Sequence, residues 1–91
     1  MGKYQLDYSA RKPSMYDFAS RSKRAERMIK TLGSYFGEDK LSSLTLLDIG
    51  SSTGIIDNIL SKKFNKVIGS DIDKRAISYA KKTFKRKNLE F

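Results

Sequence analysis

The chain has no cysteine and no histidine. The first absence excludes disulfides and thiolate metal sites. The second removes the most versatile general base and the commonest metal ligand. Chemistry must therefore rest on carboxylates, hydroxyls, lysines, backbone groups or a bound cofactor. Long apolar runs are missing as well, and none approaches the roughly 20 residues that cross a bilayer. The N-terminal MGKYQLDYSARKPS lacks the apolar centre of a secretory signal, and Leu6 stands where a myristoylation signal at Gly2 needs Ser or Thr. The expectation is a soluble, cytoplasmic chain without membrane partners. Its 91 residues allow at most one small domain with a modest core.

What is present in excess is positive charge. Nineteen Lys and Arg against ten Asp and Glu leave a net charge of +9, which can steer a protein toward phosphates, so RNA is one candidate partner. The plainer reading is a set of basic solvent faces, because the lysines are spread over several segments.

Along the chain, Ser14 opens S-M-Y-D, a capping-box form with Asp17 three residues on. Ala25, Met28, Ile29, Leu32 and Phe36 then follow helical spacing, so a helix is expected over about 14–36. Gly33 and Gly37 bracket its end, and Gly37 to Lys40 reads as loop. Leu44 to Ile49 is a near-continuous apolar run, as in a strand covered on both faces. A glycine-bearing turn follows, then a short helix marked by Ile55, Ile56, Ile59, Leu60 and Phe64. Lys66 to Ile72 is a second strand. Asp73 is placed to cap a third helix, with Ala76, Ile77, Ala80 and Phe84 on its stripe and Lys81, Lys82, Lys85, Arg86 and Lys87 crowding its C-terminal half. The terminal NLEF begins a third strand.

This alternation predicts an α/β fold, a Rossmann-like parallel sheet with flanking helices and right-handed crossovers, preceded by an N-terminal helix. Residues 1–43 form the N-terminal segment and 44–91 the first half of the sheet domain. Two or three parallel strands leave edges and faces bare. The sheet is thus expected to be truncated after the start of its third strand, or to be completed by self-association or by another chain.

The turn carries the functional signal. Gly50 and Gly54 bracket it, and Asp71, 21 positions beyond Gly50, ends the second strand. An acidic residue at that offset suits the ribose hydroxyls of an adenosyl ligand, because one carboxylate accepts from two vicinal hydroxyls. A dinucleotide site asks for G-x-G-x-x-G. With its first glycine at Gly50, Ser52 and Ile55 occupy the other two positions, which disfavours a nicotinamide-dependent oxidoreductase. No P-loop run exists.

LLDIGSSTGIIDNILSKKFNKVIGSDIDKRAISYAKK resembles the first two strand-helix units of class I S-adenosylmethionine-dependent methyltransferases, whose first motif reads roughly hydrophobic-hydrophobic-D-x-G-x-G-x-G. The resemblance covers Leu46 to Lys82, and NLEF is similar to the start of the family's third strand. It implies that Asp48, Gly50, Ser52 and Gly54 shape a loop around the methionine and ribose portions of S-adenosyl-L-methionine. It further implies that Asp71 binds the ribose hydroxyls and that Ile72 packs on adenine. Ser52 departs from the family's middle glycine. No metal is implied, and the catalytic residues are expected beyond Phe91, so the 91 residues alone are not expected to be catalytically competent.

Each assignment has a plainer rival. Gly50 and Gly54 would also serve turn geometry alone, Asp48 a structural role at a strand end, and Asp71 a solvated strand terminus. Asp57 reads as an exposed or first-turn carboxylate. Tyr4, Tyr8, Tyr16 and Phe18 would either cover a cofactor pocket or pack on the sheet. A non-catalytic adenosyl-ligand or nucleic-acid binding module is the alternative to the enzyme.

Overall fold

The computed structural model describes residues 17–91. The elements are α1 (Phe18–Phe36), α2 (Glu38–Leu41), β1 (Thr45–Ile49), α3 (Ile55–Leu60), β2 (Lys66–Ser70), α4 (Lys74–Thr83) and β3 (Leu89–Glu90). The three strands form a parallel sheet in the order β1-β2-β3. Thr45 pairs with Lys66, Asp48 with Gly69, and Val67 with Leu89. The fold is thus the α/β, Rossmann-like arrangement expected, in the part of it that these strands make up.

α1 begins at a different cap from the one the sequence suggested. Asp17 is itself the N-cap, its Oδ1 accepting from the Ser20 N–H at 3.2 Å; Ser14 lies outside the described residues. The helix stops at Gly37, whose φ of +95° suits glycine and whose N–H donates to the Gly33 carbonyl at 2.8 Å. Gly33 does not end the helix. It is buried inside it, where the absent side chain lets Glu38 and Leu41 approach. The stretch after Gly37 is a helical turn, α2, where a loop was expected. It brings Leu41 into the core.

That core is Leu41, Leu60, Phe64 and Val67, with Met28, Ile29, Leu32, Leu44, Leu46, Ile56 and Leu89 packed around it. α1 contributes its predicted stripe except Phe36, which is half exposed. Asn88 fastens the far end: its Nδ2 donates to the Ser61 carbonyl at 2.6 Å and the Phe64 carbonyl at 3.1 Å.

Among the described residues the sheet is covered on one side only, where β1 was expected to be covered on both. Leu46 packs inward, but Leu47 is 60% exposed and Ile49 81% exposed. Strand alternation explains this directly, since residues 46 and 47 point to opposite faces and the described helices pack on one of them. α4 is also shorter than expected. It ends at Thr83, so Lys81 and Lys82 lie in its last turn while Lys85, Arg86 and Lys87 belong to the link into β3. Among the described residues no helix is long and apolar enough to cross a membrane.

Candidate functional site

The turn from β1 to α3 is held at the carboxyl ends of the strands by three sets of bonds. The N–H groups of Gly50 and Ser51 both donate to the Ser70 carbonyl at the end of β2, at 2.6 and 2.9 Å. The Gly54 N–H closes the turn on the Ser51 carbonyl at 3.2 Å. Asp71 supplies the third: Oδ2 accepts from the Ser52 N–H at 2.7 Å and Oδ1 from the Asp73 N–H at 2.9 Å. A residue 19 positions away in sequence thus fixes the middle of the turn.

The residues of the loop differ in what they do. Gly50 has φ +88° and open space where a Cβ would stand, so its backbone is approachable. Gly54 has φ +82°, but a Cβ there would meet the Phe91 ring at 2.6 Å and the Ala80 Cβ at 2.8 Å. Its smallness serves close packing of α3 on α4 and Phe91. Ser52 adopts φ +56°, the left-handed region that a non-glycine residue enters at a cost of order 1–2 kcal/mol. The Asp71 bond to its N–H compensates for that strain. The Oγ atoms of Ser51 and Ser52 are buried and have no hydrogen-bond partner among the described residues. Each is a buried polar group that the described residues leave unpaired.

Behind the loop sits a pair of carboxyls. Asp48, the fourth residue of β1, is half-buried and stands opposite Gly69 in the register. Asp57, from the first turn of α3, is fully buried and fills the space over Gly69, where any Cβ would collide with its Oδ2. No N–H or hydroxyl among the described residues donates to either Asp57 oxygen. Burial pushes its pKa up to about 9, and the adjoining Asp48 carboxyl acts in the same direction, by side-chain hydrogen bonding and by charge. Asp57 is therefore protonated at neutral pH; it stands in the first helical turn, one of the two places expected of it, but it is buried and not exposed. Its place on α3, three residues past the loop glycine, carried no signal of burial because Ile55, Ile56 and Ile59 already account for an apolar face.

Asp73 is the N-cap of α4, with Oδ1 accepting from the Arg75 and Ala76 N–H groups, each at 3.1 Å. Ile72 is 41% exposed beside Asp71, with surface free to contact a planar ligand. Phe18 is exposed at the start of α1; Tyr4, Tyr8 and Tyr16 lie outside the described residues. Among the described residues no cluster of carboxylates suited to a metal ion is found.

Comparison with known proteins gives short local similarities. An uncharacterized RNA methyltransferase of Clostridium acetobutylicum is 33% identical over 72 residues, which is 79% of this chain and 15% of that protein. An uncharacterized RNA methyltransferase of Clostridium tetani is similar to the same extent. The ribosomal protein L11 methyltransferase of Dictyoglomus thermophilum is 45% identical over 49 residues, 52% of this chain and 16% of that one. This chain thus spans about 15% of the length of the Clostridium relatives and is similar to part of each methyltransferase. No protein-family model and no solved structure matches it.

Proposed function

We propose that the chain is the cofactor-binding portion of a class I S-adenosylmethionine-dependent methyltransferase, with residues 44–91 as the first half of its sheet domain. The observation that carries this reading is the brace from Asp71 to the Ser52 N–H. It draws a strand-end carboxylate and a glycine-bearing turn into one wall, as recognition of an adenosyl group requires. The residues present fit the cofactor. Gly50 leaves open space at the turn, and the Asp71 oxygens keep lone pairs beyond the two N–H groups they already accept.

In this reading Asp71 takes the ribose hydroxyls and Ile72 lies against the adenine. Gly50 and Ser52 shape the loop around the methionine and ribose portions, while Gly54 and Asp48 support it from behind. The cofactor, when bound, supplies a sulfonium methyl group for transfer to a nucleophile. The chain's own part is to bind and orient it, and this needs neither histidine nor metal.

Titration calorimetry with S-adenosylmethionine, S-adenosylhomocysteine and NAD tests the proposal. Binding of the first two, abolished by Asp71→Ala, is the expected result. Binding of NAD alone would replace the reading with a nicotinamide enzyme, and binding of RNA with none of the three would replace it with a non-catalytic nucleic-acid module.

A further inference from the structure

The face of α1 away from the core is basic. Lys23, Arg24, Arg27 and Lys30 lie off the packed stripe of this helix, whose one acidic residue is Glu26. Arg24, Arg27 and Met28 are three and four residues apart, so they share one strip of the helix surface. That strip forms one wall of a groove of about 280 Å³ lined by Arg24, Arg27, Met28 and, from α3, Ile56. Neither arginine has an acidic partner among the described residues, and both are exposed. Ile56 is two residues beyond Gly54, so the groove opens beside the helix turn that leaves the candidate cofactor loop.

We propose that this groove between α1 and α3 docks single-stranded RNA, with Arg24 and Arg27 on consecutive phosphates and the apolar surface of Met28 and Ile56 under ribose or base. The inference rests on the methyltransferase reading and deepens it by naming the substrate class and its path past the loop. Three features favour nucleic acid over other anions. The planar guanidinium fork matches phosphate geometry and also stacks on bases. The groove sets an apolar floor beside the two cations, which suits a chain alternating phosphate with flat apolar surface. At about 280 Å³ it holds one repeating unit of a passing strand, not a whole buried small molecule. The cations at the end of α4 lack such a floor: Lys81 and Lys82 answer the helix dipole, and the Tyr79 and Phe84 rings are occupied with each other.

The test is fluorescence anisotropy of a labelled single-stranded RNA with the full 91-residue chain, titrated at several salt concentrations. Arg24→Gln/Arg27→Gln is expected to weaken binding by about tenfold or more and to flatten the slope of log K against log salt by about 1.4, two single-strand phosphate contacts at about 0.7 each. Lys81→Gln/Lys82→Gln is expected to leave the affinity within about twofold and the slope unchanged. Both arginines are exposed, and circular dichroism checks that the double variant folds. An unchanged affinity in the arginine variant overturns the proposal, as does equal competition by polyglutamate, which would assign the groove to acidic peptides. Calorimetry with S-adenosylmethionine on the same samples separates the two readings. Cofactor binding that survives while the arginine variant holds RNA normally refutes the groove alone, whereas a wild-type chain that takes RNA through the arginines but no cofactor refutes the enzyme reading.

Discussion

Replacing Asp57 with asparagine should change how stability depends on pH, and the structure sets the size of the effect. In the unfolded chain this carboxyl titrates near 3.8; in the folded chain it is held up to about 9. Between those values the folded state binds more protons than the unfolded one, so stability falls as pH rises, by about 1.4 kcal/mol per unit from this group. The penalty is absent below about pH 4, accumulates through neutrality and levels off above about pH 9. Between pH 5 and pH 8 it amounts to about 4 kcal/mol, a large share of what a small domain possesses. Asparagine has nearly the same shape and no charge to lose. Urea unfolding followed by circular dichroism at each pH, for wild type and Asp57→Asn, should therefore give curves that coincide near pH 4 and diverge in favour of the variant up to pH 8. Asp48→Asn, which leaves the burial of Asp57 in place, should retain most of the wild-type slope, because burial is the larger cause. A difference between wild type and Asp57→Asn that stays constant within about 0.5 kcal/mol across that range would refute the assignment of a protonated, buried acid.

Other expectations follow from single contacts. Gly69→Ala places a methyl group against Asp57 and within 2.8 Å of the Phe91 ring, so a loss of about 2 kcal/mol or more is expected in denaturant unfolding. Ser52→Gly should leave the melting temperature equal or higher by relieving the left-handed backbone, while Ser52→Val should lower stability by more than about 1 kcal/mol. Asn88→Ala removes two donors to the carbonyls of Ser61 and Phe64 and should cost about 1–3 kcal/mol, read by thermal unfolding. Asp71→Asn halves the acceptors of the brace and is expected to weaken S-adenosylmethionine binding at least about tenfold in calorimetry, with a smaller effect on unfolding.

Much of the backbone arrangement was legible because it rests on local rules. Apolar spacing placed α1, α3 and α4, and the cap at Asp73 followed from its position before an amphipathic run. Exposure was less legible. A continuous apolar run states that a strand is apolar on two faces, but whether Leu47 and Ile49 are covered depends on what packs there, which no local pattern encodes. Asp57 was misread for the same kind of reason: a carboxylate in a first helical turn has an ordinary local explanation, and only the glycine opposite, contributed by another strand, makes room for it to be buried. In the loop, spacing singled out Gly50, Gly54 and Asp71, yet could not separate the glycine that leaves open space from the glycine that packs on Phe91.

The two N–H groups held by Asp71 also bear on the thermodynamics of recognition. Because the turn is already fixed by folding, a ligand arriving there meets a rigid wall, and the entropy of ordering the loop is not charged to binding. Association should then show the small heat-capacity change of a preformed pocket, with no added increment from a segment folding around its guest. Loosening the brace would move that ordering cost from folding to binding, so affinity would fall even in a variant that makes every contact of the original.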